Sequence, residues 1–265
     1  MLARQRQAAI LDRVRAAGGV RVTELAAEFG VSDMTIRRDL ETLHEQGLLA
    51  KVHGGATLAG PSATDEPGFH AKSVRQSAEK AAIAARAAEL VRPGAAVALS
   101  AGTTTAELAR RLVDVAGLTV VTNSLPVAEI LHTQGRPDQT VVLTGGVRTP
   151  SDALVGPLAV AAIRALHLDL LFLGVHGITE RAGFTTPNLM EAETDRALVA
   201  AADRLVVLAD HTKWGTVGIS SIVALEDADV LVTDDRLAPQ ARQVLDEKVG
   251  ELVIVAGRTT TGEAR

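Results

Sequence analysis

The sequence predicts an α/β protein: a small N-terminal winged helix-turn-helix domain followed by a domain built on a largely parallel sheet. Three observations carry this. Two short amphipathic segments near the start are separated by a tight turn at Gly30. Seven short apolar runs follow between residues 95 and 255, and helix-length stretches separate most of them. Hydrophobic residues make up 47% of the 265 residues, ample for a core and too many for a mostly disordered chain. The expected boundaries are 1–56 for the winged head, 57–72 for a linker or extended crossover, and 73–265 for the α/β domain.

Residues 4–17, RQRQAAILDRVRAA, read as a first helix with Ile10, Leu11 and Val14 inward and Gly18-Gly19 ending it. A second helix, VTELAAEFG, has Leu25 and Phe29 one turn apart and stops at Gly30. In residues 31–47, VSDMTIRRDLETLHEQG, Ser32 can cap the first turn. Ile36, Leu40 and Leu43 then form one buried stripe, which leaves Thr35, Arg37 and Arg38 facing partly or wholly to solvent. Such a pair of helices presents its second member to a DNA major groove. Leu48 to Val52 and His53 to Ala56 suggest a β wing, placing Lys51 and His53 beside the phosphate backbone, where they give affinity without reading sequence. Residues 1–57 hold eight Lys or Arg against seven Asp or Glu, so the case for DNA rests on position. Arg4, Arg6, Arg37, Arg38 and Lys51 are the expected basic face.

The whole chain carries a formal charge of -5, which argues against a coat of positive charge. The absence of cysteine excludes disulfides and thiolate metal sites. The N-terminus has no apolar segment ending in a small-residue cleavage site, and no run approaches a membrane span. A soluble cytoplasmic protein with no membrane partner is expected.

Residues 57–72 hold two prolines and two glycines with little periodicity, and Ser73 to Val91 is alanine-rich and helical in pattern. The expected strands are 95–99, 119–122, 140–143, 168–174, 204–208, 230–233 and 252–255. The expected helices are 104–115, 126–131, 157–166, 190–201 and 239–247. Parallel sheets bind ligands beyond the carboxyl ends of their strands, and this chain gathers polar and glycine residues there. Ser100-Ala101-Gly102-Thr103-Thr104-Thr105 fits either an anion cradle of amides and hydroxyls or an ordinary capped helix. Thr122-Asn123-Ser124 fits a turn or a pocket edge. Gly145 to Arg148 with Asp152 offers phosphate and hydroxyl recognition or a surface pair. His176 follows a strongly apolar strand. Asp210 and Lys213 follow another, Lys213 as a mobile phosphate-binding charge, with Trp214 beside them read as packing. No compact histidine and carboxylate motif suggests a metal, and no cofactor is expected.

These residues strongly resemble the DeoR family of bacterial transcription regulators over nearly the entire chain. The N-terminal likeness lies in ELAAEFGVSDMTIRRDLETLHEQGLLAKVHGGA. The C-terminal likeness lies in GTTT, VVTNS, LTGG, ALVGPLA, LDLLFLGVHG and LADHTKWG. The resemblance implies that Thr35, Arg37 and Arg38 face operator DNA. It also implies a C-terminal domain similar to sugar-phosphate isomerases and deaminases that senses a phosphorylated metabolite. By the same resemblance, Gly102 to Thr105 hold phosphate with help from Lys213, and Asn123, Gly145, Arg148, Asp152, His176 and Asp210 line or shape the pocket. The family commonly has an acidic residue where Ser100 stands, so a sugar-hydroxyl contact is weaker here or the effector differs.

The expectation is therefore a repressor of sugar-metabolism genes, not an enzyme, that binds double-stranded operator DNA as a homo-oligomer, dimer or tetramer, and is relieved by a small phosphorylated sugar. Two alternatives stand beside it. One is a sugar-phosphate isomerase with an accessory DNA-binding head, moving protons with Asp152, Asp210 and His176. The other is a DNA-binding scaffold whose second domain only oligomerises.

Overall fold

The computed structural model describes residues 3–17, 19–45, 49–52, 54–58, 64, 66 and 68–257. The chain divides into two compact units, residues 1–62 and 63–265.

In the first unit, α1 (Ala3–Ala17), α2 (Val22–Phe29) and α3 (Asp33–Glu45) pack with a three-stranded sheet of β1 (Gly19–Arg21), β2 (Leu49–Val52) and β3 (Gly55–Leu58), in the order β1-β3-β2. Ile10, Val14, Leu25, Ile36, Leu40 and Leu43 are buried together, so the periodic stripes read from the sequence are the core. Gly30 ends α2 with φ 64, a left-handed turn that costs glycine nothing. The strand β1 was not anticipated: the residues expected only to end α1 pair antiparallel with β3. Gly55 makes that pairing possible, since a Cβ there would lie 2.1 Å from the Val20 carbonyl oxygen. The wing extends through Leu58, past the expected end at residue 56. His53 and the side chains of Arg4 and Lys51 lie outside the described residues.

The second unit begins where a linker was expected. Residues 69–73 form a helix, α4 (Phe69–Ser73), followed by α5 (Ser77–Ala88). The predicted single helix from residue 73 is broken by Gln76, whose φ is 51. All seven expected strands belong to one sheet: β4 (Ala96–Leu99), β5 (Thr119–Thr122), β6 (Thr140–Leu143), β9 (Leu170–Gly174), β12 (Leu205–Leu208), β14 (Val230–Asp234) and β15 (Leu252–Val255). Its order is β15-β14-β12-β9-β4-β5-β6 and every pairing is parallel. The connecting helices are α6 (Thr103–Leu112), α7 (Leu125–Gln134), α8 (Pro157–Ile163), α9 (Leu189–Ala201) and α10 (Pro239–Lys248).

Side chains alternate across the strands, as the pleat requires. On β9, Phe172 faces a core with Ile83, Leu108 and Leu112, while Leu171 and Leu173 face a second core with Ile163, Phe184 and Leu198. Two short features lacked a sequence signal. The pair β7 (Val147–Arg148) and β8 (Leu154–Val155) stands apart, and β10 (Gly177–Thr179), β11 (Gly183–Thr186) and β13 (Ser220–Val223) form a small antiparallel sheet. In the large sheet β4, β5 and β6 run outward on one side and β9, β12, β14 and β15 on the other. The order reverses between β4 and β9, so the loops leaving these neighbours diverge and open a crevice.

Candidate functional site

On α3, Ser32 caps the first turn by accepting the Thr35 amide at 3.2 Å, and its hydroxyl lies 2.9 Å from that of Thr35. Burial of Ile36, Leu40 and Leu43 turns Arg37 and Arg38 out, and both are exposed. Met34, 65% exposed, shares that outer face, one turn before Arg37 and Arg38. It is apolar, so charge counting passed over it, but an exposed apolar side chain on a reading helix suits a thymine methyl. Arg6 is a correction. Expected on the basic face, it is 8% exposed and its Nε donates to Asp39 Oδ2 at 2.5 Å, tying α1 to the inner side of α3.

The crevice between β4 and β9 holds a pocket of about 560 Å³, its open mouth included. Its lining includes Gly102, Thr103 and Thr104 at the start of α6, Gly174 to His176 at the end of β9 and just past it, Lys213, and Lys72, Glu191 and Asp195. The first amides of α6 have no carbonyl one turn back to accept them, and the helix dipole points its positive end the same way. Two ammonium groups, from Lys72 and Lys213, join that helix end.

Gly102, Thr103, Thr104, His176 and Lys213 are thus brought together, while the other sequence candidates stand around them. Thr105 is buried and donates its hydroxyl to the Gly102 carbonyl at 3.0 Å, shaping the turn. Asn123 is fully buried behind the loop, accepting from the Ala101 amide at 2.9 Å and donating to the Leu154 carbonyl at 3.3 Å. Asp210 accepts from both the amide and the hydroxyl of Thr212, capping the 3-10 turn His211–Lys213 that carries Lys213. Gly145, with φ 72, turns the chain from β6 toward β7 and does not line the pocket. Arg148 and Asp152 do not line it either: they pair with each other at 2.5 Å, with the Arg148 side chain 66% exposed. Of the two readings the sequence left open for Arg148 and Asp152, the structure shows the pair formed between them at the surface. Ser100 uses its hydroxyl to accept the Gly174 amide at 2.9 Å, clamping the two strand ends.

Sequence reasoning missed Lys72, Lys80, Glu191 and Asp195. Lys72 fell in the Pro- and Gly-containing stretch, and the two acids lie within the expected helix 190–201, whose pattern gave them no signal. Burial lowers the Lys72 amine, as does Lys213, while Glu191 and Glu66 oppose this. Glu66 accepts from Ser151 at 2.7 Å and from Asn188 at 3.0 Å, and Asn188 also caps α9. Burial pushes Glu66 up, but these hydrogen bonds and Lys72 leave it below the ordinary carboxylate range.

Lys80 is buried and donates to the carbonyls of Lys72 and Arg75 at 2.5 and 2.6 Å, holding the end of α4. Burial lowers its pKa to about 8, with Lys213 and Lys72 adding to the effect and Asp210 opposing it. Between that value and 10.5 the unfolded chain binds more protons than the folded one, so folding gains stability as pH rises through this window. Urea unfolding of the second unit at pH 7 and pH 10 is expected to show this gain, and Lys80→Met is expected to reduce it.

Among the described residues no cluster of three or more His, Asp or Glu is placed to hold a metal, and no helix is long and apolar enough to cross a membrane. Residues 6–61 match the family model for the DeoR-like helix-turn-helix domain, and residues 75–235 match that for the DeoR C terminal sensor domain. The chain is 38% identical to the HTH-type transcriptional regulator GolR of Listeria innocua, covering 88% of this chain and 91% of that protein. It is 33% identical to the putative aga operon transcriptional repressor of Escherichia coli O157:H7, with coverage of 96% and 94%. Identity to the glycerol-3-phosphate regulon repressor of Escherichia coli K12 is 32%, with coverage of 92% and 95%. Among solved structures, ribose 5-phosphate isomerase A from Methanocaldococcus jannaschii is similar at a TM-score of 0.37 and 17% identity, over 51% of this chain and 53% of that one, a likeness too distant to speak for activity. With one family model spanning the reading helix and the other spanning most of the pocket, the chain belongs to the DeoR family of DNA-binding transcription regulators.

Proposed function

We propose that this protein is a cytoplasmic repressor that binds double-stranded operator DNA as a homo-oligomer and releases it when a phosphorylated sugar occupies the second unit. The observation that carries the sensing half is the convergence of the α6 N-terminus with Lys72 and Lys213 in one pocket. Helix amides favour an anion and the two ammonium groups supply charge, while hydroxyls from Thr103, Thr104 and Thr186 suit a polyol. The names of the aga operon and glycerol-3-phosphate regulon repressors support repression as the output.

An effector can shift DNA affinity only by binding the DNA-competent and incompetent arrangements unequally. Lys72 and Glu66 suit such a role, because both lie just after the first unit in sequence and both are engaged around the pocket. An oligomer gives the short reading helix a second half-site one DNA turn away, which one head cannot reach. Asp152 paired with Arg148 and Asp210 capping the 3-10 turn that carries Lys213 both support the reading as a regulator over the isomerase alternative.

Gel-shift titration against the DNA upstream of the protein's own gene tests the reading. A salt-sensitive specific complex that dissociates on addition of a sugar phosphate is expected, and no complex under any condition would overturn it. Arg38→Ala is expected to weaken the specific complex by about 1–3 kcal/mol and leave the fold intact. Equal weakening on scrambled DNA would assign Arg38 to a phosphate contact rather than to a base.

A further inference from the structure

One wall of the pocket is acidic. α9 places Glu191 and Asp195 one turn apart on the same face, and both line the cavity. Glu191 is provided for: it accepts from the Thr186 hydroxyl at 2.7 Å and feels the charge of Lys72. Asp195 is not. It is 4% exposed, yet no hydrogen bond or salt bridge among the described residues reaches its carboxylate. Burial and the charge of Glu191 push its pKa well above the ordinary value, and Arg196 opposes this. The carboxylate opens onto the pocket and has no protein donor there among the described residues, which leaves its oxygens for a donor on a bound ligand.

Lys72 and Lys213 share the cavity with this acidic wall, so a ligand that carries an anion at one end and a cationic donor at the other matches both sides of it. Resting on the reading that this pocket takes a phosphate, we propose that the effector is an amino sugar phosphate, its phosphate at the start of α6 and its ammonium held by Asp195 with Glu191 beside it. An ammonium brings three donors to groups that only accept, and a hydroxyl brings one donor and no charge.

The test is calorimetric titration of the full-length protein with matched pairs: glucosamine, galactosamine and mannosamine 6-phosphates against glucose, galactose and mannose 6-phosphates, with inorganic phosphate as a further arm. In at least one pair the amino compound is expected to bind about tenfold or more tightly than its hydroxyl counterpart. Asp195→Asn, close to the native side chain in size, is expected to erase that preference while phosphate still competes. If phosphate or any of the sugars binds and no pair favours the amino member, the inference is overturned and the phosphate site stands. A preference that survives in both Asp195→Asn and Glu191→Gln also overturns it. If no phosphate compound binds at all, the phosphate reading falls and takes this one with it.

Discussion

Asp39→Ala is expected to destabilise the N-terminal unit by about 3–5 kcal/mol, because it leaves a guanidinium buried without its counter-charge. Arg6 and Asp39 are 8% and 4% exposed, and the Asp39 carboxylate also accepts from Gln7 Nε2 at 3.1 Å. Arginine cannot escape by losing its proton, so the cost falls on the fold. A small domain has on the order of 5–15 kcal/mol to lose, and so the variant should populate an unfolded head at ordinary temperature. Circular dichroism during urea unfolding would show it as an early transition, with operator binding lost although Arg37 and Arg38 are untouched. The double variant Arg6→Met with Asp39→Leu separates burial from charge. Replacing both partners by apolar groups removes the unpaired ion, so stability and DNA binding should largely return. A loss below about 1 kcal/mol for the single variant, the value of an exposed pair, would mean that the pair is solvated and does not organise the head.

Arg6 also shows what the sequence does and does not reveal. Ile36, Leu40 and Leu43 were legible because a helix buries a stripe of fixed period. The seven strands of the large sheet were legible because each is a short, nearly continuous apolar run, including the more exposed edge strands β6 and β15. A charged residue has no such signature. Arg6 and Arg37 look alike in sequence, and only packing of α1 against α3 makes one structural while leaving the other exposed. The pocket divides in the same way. Gly102 to Thr104, His176 and Lys213 could be named because they follow strands, where parallel sheets bind ligands. Lys72 comes from a short helix before the large sheet begins, and Glu191 and Asp195 from a helix that follows β11 of the small antiparallel sheet. Their convergence is a long-range property of the chain path. Arg148 and Asp152 show the same limit: their spacing on one loop fits ligand recognition and a surface pair equally, and only the folded chain shows them paired with each other.

Lys213→Ala is expected to weaken effector binding by about 1.5–3 kcal/mol, roughly 10- to 150-fold, while operator affinity without effector is unchanged. The expectation follows from how the side chain is held. Asp210 caps the 3-10 turn through the Thr212 amide and hydroxyl, and Gly215 closes it by donating its amide to the Ile178 carbonyl at 2.8 Å. The backbone is therefore fixed without help from the lysine, and removing the amine takes a charge from the pocket rather than a support from the fold. Lys72→Ala should cost a similar amount in effector affinity but also disturb the unliganded protein, because Lys72 interacts with Glu191 and Glu66 before any effector arrives. Gel-shift titrations with and without effector, run beside thermal unfolding, distinguish the two. If Lys213→Ala lowered unliganded operator affinity and the unfolding temperature together, the residue would be structural. Lys213→Arg supplies the remaining control. It restores the charge in a larger planar form, so a partial return of effector affinity would identify charge as the essential property, and no return would show that the compact ammonium is required.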